Sequence, residues 1–430
     1  MQFQAHIRSV ENTDLKYSLL DFFKAESNVI LLDGNTSNDD SFNWVIAAGT
    51  VDEISVGEQN AFEELQAFHE KHKDWIFGSL SYDLKNGLEK LESNHADGIK
   101  APALHFFLPK YLFVFREKHL VIYHHESQKE FELEILSRVF TSSEIGFNSS
   151  VKSRVSKNSY VDCVNRIKGH IQRGDIYEMN YCQEFYAENT DLNPLEVFKS
   201  LNAASKAPFS CYFKLGDTYL LSASPERFVK KDGTHIISQP IKGTRRRGVN
   251  LEEDEHLKKE LYEDQKERSE NVMIVDLVRN DLSRIAEKDT VKVDELFGIY
   301  TFDQVHHMIS TISCELRANK DLKDIFQAIF PMGSMTGAPK IRAMKLIEKF
   351  EQTKRGLYSG AVGYISPEGD FDFNVVIRSI QYNALNKYLS FMVGGAITMG
   401  SDAEMEYEEC LVKAKALFEV LEGEYAETVS

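Results

Sequence analysis

The chain has 430 residues, 42% of them hydrophobic and 27% charged, the composition of an ordinary folded protein. With 50 Lys and Arg against 67 Asp and Glu, its formal charge of −17 disfavours non-specific attachment to nucleic acid or to an anionic membrane surface. No run approaches the ~18 apolar residues of a spanning helix, the opening MQFQAHIRSVENTD lacks the apolar stretch of a secretory signal, and five scattered cysteines without a C-x-x-C (Cys163, Cys182, Cys211, Cys314, Cys410) point to reduced thiols, a cytoplasmic home and no zinc site.

In chain order, YLFVFREKHLVIYHH (111–125) alternates in polarity and predicts a strand hairpin turning at Arg116–Lys118. The polar stretch from about 125 to 159 reads as a helix followed by a serine-rich linker. This divides the chain into an N-terminal portion (1–125), a linker region (126–158) and a catalytic domain (159–425). Ser159 is a candidate cap for a helix with Tyr160, Val164, Ile167 and Ile171 on one face, stopped near Gly174. SCYFKLGDTYLLSAS (210–224) and HIISQPI (235–241) read as strands. One long helical stretch follows, from about 251 to 286, and another begins after Gly337-Ala-Pro339. Strands at 356–367 and 386–398 precede a final amphipathic helix from about 403 to 423. Without regular βαβ alternation, this order predicts an α+β fold of packed, antiparallel-rich sheets, each covered by helices on one face.

Several constellations could carry chemistry. In SQPIKGTRRRG (238–248), Lys242 lies between an apolar run and Gly243, with Arg245, Arg246 and Arg247 behind it. It is either a solvated basic turn or a nucleophile, and a nucleophilic amine needs a pKa well below ~10.4. Nearby arginines or a bound cation would promote that. The Glu-x-x-Glu pairs Glu267/Glu270 and Glu406/Glu409 each put two carboxylates on one helix face. An all-oxygen donor set of that kind suits Mg²⁺. The same spacing recurs at Glu89/Glu92 and Glu348/Glu351, where it reads as a solvated face, so spacing does not decide the matter. GSMTGAPK (333–340) is either an anion-binding helix start or a plain turn, and it does not meet the Walker pattern. Glu226 in SASPERF ends a strand and is either a general acid/base or a surface turn residue. Of His306 and His307, one should face inward as a satisfied core histidine. Arg378, inside the apolar FNVVIRSI, needs a carboxylate partner, which could belong to a substrate.

SPERF, PIKGT, KERSENVMIVDLVRNDL, GSMTGAPKIRAM, YSGAVGYI, FNVVIRS and SDAEMEYEECLVKAKAL stand in the order seen in the chorismate-utilising enzymes. The chain resembles that family, densely from about 156 to 421 and faintly before. Within it, the chain looks like the aminating component I branch that makes 4-amino-4-deoxychorismate, close kin of anthranilate synthase component I. The resemblance implies that Glu270 and Glu409 hold Mg²⁺, with Glu267 and Glu406 assisting through water, and that the metal grips the ring carboxylate of chorismate. It implies that Arg378 and Tyr358 hold the enolpyruvyl carboxylate, that backbone at Gly337-Ala338 and Gly394-Gly395-Ala396 takes carboxylate oxygens, and that Thr244 and Ser334 line the substrate. His307, rather than His306, matches the family histidine.

Lys242 is the discriminating position, because anthranilate synthases resemble this stretch as P-I-A-G-T. In the aminating branch the lysine would attack C2 as the C4 hydroxyl leaves, protonated by Glu226, and ammonia would then displace the lysine. Glu178, in Gly174-Asp-Ile-Tyr-Glu178-Met-Asn180, stands where the family often has glutamine. The tryptophan-inhibition motif of regulated anthranilate synthases is absent; the nearest stretch is Leu19-Leu20-Asp21-Phe22. No cysteine sits in a glycine-flanked nucleophile elbow, so the chain has no glutaminase of its own, and the resemblance implies a separate glutamine amidotransferase subunit as the source of ammonia. The competing expectations are an anthranilate synthase component I and a non-catalytic chorismate-binding subunit.

Overall fold

The computed structural model describes residues 4–9, 15–35, 42–89, 91–124 and 140–423. The helix expected after residue 125, and most of the first half of the linker region, lie outside these described residues.

Alternating apolar residues along the strands send side chains to two different cores. In strands Asn28–Asp33, Trp44–Val56, Leu104–Arg116 and Phe209–Leu215, Ile30, Val45, Phe107, Leu112 and Phe213 enter a cluster built without any helical residue. Their neighbours Val29, Leu31, Ile46, Phe113 and Tyr212 enter a larger cluster shared with helices Lys157–Gln172, Pro194–Ser205, Lys340–Phe350 and Ala403–Glu422. A third cluster joins the other faces of strands Ile76–Leu80 and Ala361–Ile365 to helices Ala61–His72, Gln265–Ser283 and Leu322–Ile329. The described strands form one continuous 20-stranded antiparallel sheet that folds over so that its strands bury one face against each other and carry helices on the other, the expected α+β arrangement. Each fully buried Phe, Leu or Ile in these layers stabilises the fold by about 1.5–3 kcal/mol.

Strand pairing links the beginning of the chain to its end. Asn28–Asp33 pairs antiparallel with Phe209–Leu215, and Ile76–Leu80 with Ala361–Ile365. The expected hairpin forms from Leu104–Arg116 and His119–His124, with Glu117 and Lys118 at positive φ in the turn.

Two local expectations are corrected. Ser156, not Ser159, caps the helix Lys157–Gln172, its side chain accepting from the Ser159 N–H at 3.3 Å. The stretch 251–286 is two helices, Leu251–Glu263 and Gln265–Ser283. Asp264 separates them at φ −64°, ψ 113°, and its carboxylate accepts from the N–H groups of Lys266 and Glu267. A side chain that satisfies orphan donors starts a new helix where apolar periodicity alone predicts continuation.

Candidate active site

The break at Asp264 puts Glu267 in the first turn of its helix and Glu270 in the next. Asp402 caps Ala403–Glu422 in the same way, accepting from Glu404 and Met405, and places Glu406 and Glu409 in the matching turns. Both carboxylate pairs therefore lie within the first two turns of a helix. Glu267, Glu270 and Glu409 line a cleft of 520 Å³, and Glu406 is buried behind them.

The cleft brings together most of the residues singled out in the sequence. Glu226, Lys242, Thr244, His307, Ser334, Tyr358, Arg378, Gly394, Gly395 and Ala396 all line it. Gly337 and Ala338 do not. They form a two-residue strand that pairs with Met179 and Glu178, and Gly337, at φ 145°, would drive an added Cβ to 2.2 Å from the Glu178 carbonyl. Glycine is required there by close backbone approach. Gly394 and Gly395 pair with Cys182 and Tyr181 in the adjoining ladder, and the Gly394 carbonyl accepts from Lys413 Nζ at 2.9 Å.

Lys242 is buried at 9% exposure on the strand Ile241–Arg246, followed by Gly243 at φ 87°, where an added Cβ would meet Leu261 and the Glu267 carboxylate. Its Nζ donates to Glu178 Oε1 at 3.0 Å. Burial works to lower its pKa, but the nearby carboxylates of Glu178, Glu270 and Glu226 outweigh burial and hold it above the ordinary lysine range. The three arginines are not among the main groups acting on Lys242, and all are paired elsewhere. Arg245 meets Glu260 and Asp264, Arg246 meets Glu253, and Arg247 grips Asp254 through two nitrogens at 2.9 Å.

Glu226 is set by a turn in which Ser224 Oγ donates to the Val375 carbonyl at 2.6 Å and accepts from the Glu226 N–H at 3.2 Å. Burial raises its carboxyl to about 7, against the opposing pull of the Lys242 charge and the Ile241 N–H. A carboxyl poised near neutrality in a cleft is suited to donating a proton. His307 accepts from or donates to Thr244 Oγ1 at 2.9 Å, and burial, with the Arg378 charge, drives it down to about 3, so it is a neutral imidazole. His306 is the satisfied core histidine, bonded to Asp254 and Thr301; alternation along Val305–Glu315 separates the two rings. Arg378 sits at φ 51°, a left-handed conformation that costs a non-glycine residue about 1 kcal/mol or more, and burial lowers its pKa. No described side chain accepts a hydrogen bond from its guanidinium, so a ligand carboxylate has an open partner there.

Any metal-holding group would come from the four glutamates. Burial raises Glu270 to about 7 and pushes Glu267 upward, and Glu270 Oε1 is buried without a hydrogen-bond partner. Lys266 Nζ lies 3.2 Å from Glu406 and 3.9 Å from Glu270, bridging the two helices. Lys413 pairs with Glu409 at 2.7 Å. Among the described residues, no three His, Cys, Asp or Glu side chains converge closely enough to hold an ion by themselves. Sequence reasoning missed Lys266 and Lys413, although the i,i+4 spacing of Glu409 and Lys413 was there to be read. It noted Glu178 as a departure without finding its partner.

The model for "chorismate binding enzyme" matches residues 27–419. The aminodeoxychorismate synthase component 1 of Salmonella typhimurium is 35% identical over 349 residues, covering 80% of this chain and 76% of that protein. An anthranilate synthase component I-like protein of Synechocystis is 34% identical over 358 residues, covering 82% and 73%. The crystal structure of anthranilate synthase component I from Streptococcus pneumoniae superposes with a TM-score of 0.77 at 27% identity, covering 88% of this chain and 92% of that one. The menaquinone-specific isochorismate synthase of Escherichia coli shares the fold at a TM-score of 0.78 and 16% identity. With a cleft of this composition and a match along most of its length, the chain belongs to the chorismate binding enzymes.

Proposed function

We propose that the chain aminates chorismate to 4-amino-4-deoxychorismate, on the way to 4-aminobenzoate and folate, through a covalent bond to Lys242. One observation carries this reading: Lys242 and the buried Glu226 line the same cleft as Arg378, whose guanidinium is hydrogen-bonded by no described side chain. Arg378, with the Tyr358 hydroxyl beside it, holds a substrate carboxylate by a charge-assisted pair. Lys242 Nζ attacks C2, the double bond shifts, and the C4–O bond breaks as Glu226 gives its proton to the departing hydroxyl, which leaves as water. Ammonia then adds at C4 and the C2–N bond to Lys242 breaks. Neutral His307 contributes hydrogen bonding rather than charge.

The residues fit Mg²⁺. The donors are all oxygens, Glu270 Oε1 is an orphaned buried acceptor, and the Lys266 ammonium already stands in for a cation between the two helices. Mg²⁺ commonly takes only one or two carboxylates directly and fills its shell with water and ligand oxygens. When bound it would supply charge neutralisation for a substrate carboxylate in a strongly acidic protein, and Glu270 and Glu409 would hold it with Glu267 and Glu406 assisting through water.

A separate glutamine amidotransferase subunit supplies the ammonia in this reading. The "component 1" in the names of relatives supports it, as do the thiols: Cys182, Cys211, Cys314 and Cys410 are buried and Cys163 is half-buried. Cys182, pushed up to about 12 by burial, is not a thiolate nucleophile. The assay is incubation with chorismate, Mg²⁺ and an ammonium salt, for the parent chain and for Lys242→Ala. The expected product gives 4-aminobenzoate only after a separate lyase is added, and Lys242→Ala abolishes it. Fluorescent anthranilate from the parent chain would overturn the reading in favour of an anthranilate synthase.

A further inference from the structure

A lysine that attacks carbon must first lose a proton, and the arginines that follow Lys242 in sequence do not help it do so. The group that touches its ammonium is Glu178, 1% exposed at the start of the strand Glu178–Glu188. Nζ and Oε1 are 3.0 Å apart, and the other oxygen, Oε2, is buried with no hydrogen-bond partner. Lys242 lines the cleft and Glu178 does not, so the carboxylate meets the ammonium from behind, leaving the cleft side of Nζ for a substrate. Glu178 is held in place by the ladder to Ala338, its own carbonyl lying against Gly337. The other ionisable groups around Lys242 are Glu270, Glu226 and Glu409, and Lys266 in turn faces Glu270.

We propose that Glu178 is the base that takes the proton of Lys242, an inference that rests on Lys242 acting as the nucleophile. As substrate fills the cleft and excludes water, one Nζ proton passes to Glu178 Oε1, turning a buried ion pair into a neutral amine and a neutral acid. The amine lone pair forms the N–C2 bond, giving a secondary ammonium, while the C4–O bond breaks and Glu226 supplies the proton that completes water. Addition of ammonia at C4 expels Lys242 as a neutral amine. The new C4 ammonium returns a proton to Glu226, and Glu178 returns its proton to Lys242, so both carboxyls and the lysine end as they began. A glutamine at 178, as the family pattern often has, accepts the same hydrogen bond but takes no proton. This chain carries a proton route that an amide cannot provide.

The test compares Glu178→Gln, Glu178→Asp and Lys242→Ala in the full chain, with chorismate, Mg²⁺ and ammonium chloride, across pH 6.5 to 9.5 (about three units spanning neutral and alkaline conditions). Acetic anhydride labelling of the free proteins, read at the Lys242 peptide by mass spectrometry, reports amine reactivity separately. Loss of a positioned base costs about 10²–10⁴-fold. Glu178→Gln is therefore expected to lower kcat at least about 100-fold near neutral pH and to recover as pH rises. The same variant is expected to label faster at Lys242, because the anionic partner that favours the ammonium is gone. Glu178→Asp, with its carboxylate retained, is expected to keep the parent's pH profile at reduced kcat. Turnover in Glu178→Gln equal to or faster than the parent, or a Glu178→Asp profile matching that of Glu178→Gln, overturns the inference. Parent-like turnover in Lys242→Ala would instead remove the nucleophile itself, which separates failure of the underlying reading from failure of this one.

Discussion

Replacing Glu226 by Gln separates stability from activity in a way that can be worked from the structure. The carboxyl is 4% exposed, and burial raises it from the ordinary 4.5 to about 7. Between those values the folded state binds a proton that the unfolded state has lost, so stability falls as pH rises through this window. At ~1.4 kcal/mol per pH unit the deficit is about 3 kcal/mol, absent below the unfolded pKa and complete above the folded one. Glutamine is neutral at every pH and nearly isosteric with the protonated acid. Glu226→Gln should therefore match the parent chain at low pH and exceed it by about 3 kcal/mol well above neutrality, while losing about 10²–10⁴-fold in turnover with the proton donor. Urea titrations of both proteins at pH 4.5 and pH 8, without divalent cation, measure the first effect (the two pH values lie roughly at and above the window); chorismate turnover measures the second. A stability difference that does not change with pH, or a variant less stable than the parent at alkaline pH, would refute the reasoning.

Three further outcomes follow from other contacts. Arg378→Met removes an open guanidinium from the cleft and should lower kcat/KM for chorismate by about 10- to 100-fold, at the ~1.5–3 kcal/mol of a hydrogen bond to a charged group, with little change in thermal stability. Arg355, 2% exposed, is held by both oxygens of Glu351 at 2.6 and 2.9 Å and by the Met335 and Asn180 carbonyls; Arg355→Met strands a buried carboxylate and should cost about 3–5 kcal/mol in denaturant unfolding. Lys266→Met removes the ammonium that competes for Glu406 and Glu270, and calorimetric titration should show Mg²⁺ binding about two- to fivefold tighter, a modest gain because the lysine is half-exposed.

How much of the site was legible depended on how local its geometry is. The paired glutamates were readable because an i,i+3 spacing fixes a shared helix face whatever the tertiary fold. What the spacing did not carry was the break at Asp264, since a capping side chain competes with helix continuation at a single residue. The hairpin at 111–124 and the strand at 388–397 were readable from period-two alternation, which survives any sheet order. Gly337 reads from sequence as part of an anion site or of a plain turn; in the structure its positive φ accompanies close backbone contact with the strand Glu178–Glu188. From sequence alone, a glycine kept for close packing and one kept for ligand approach read the same.

The sequence by itself determined which chemical groups are present: a lysine before a glycine, four carboxylates in two helical pairs, an arginine inside an apolar run and five scattered cysteines. Only the tertiary structure decided which of them share a dielectric environment. The arginines beside Lys242 in sequence turn to Asp254, Glu253, Glu260 and Asp264, while a glutamate 64 residues away reaches its ammonium. Proton affinity follows distance through space and burial from water, and both are set by how the strands pair rather than by order along the chain.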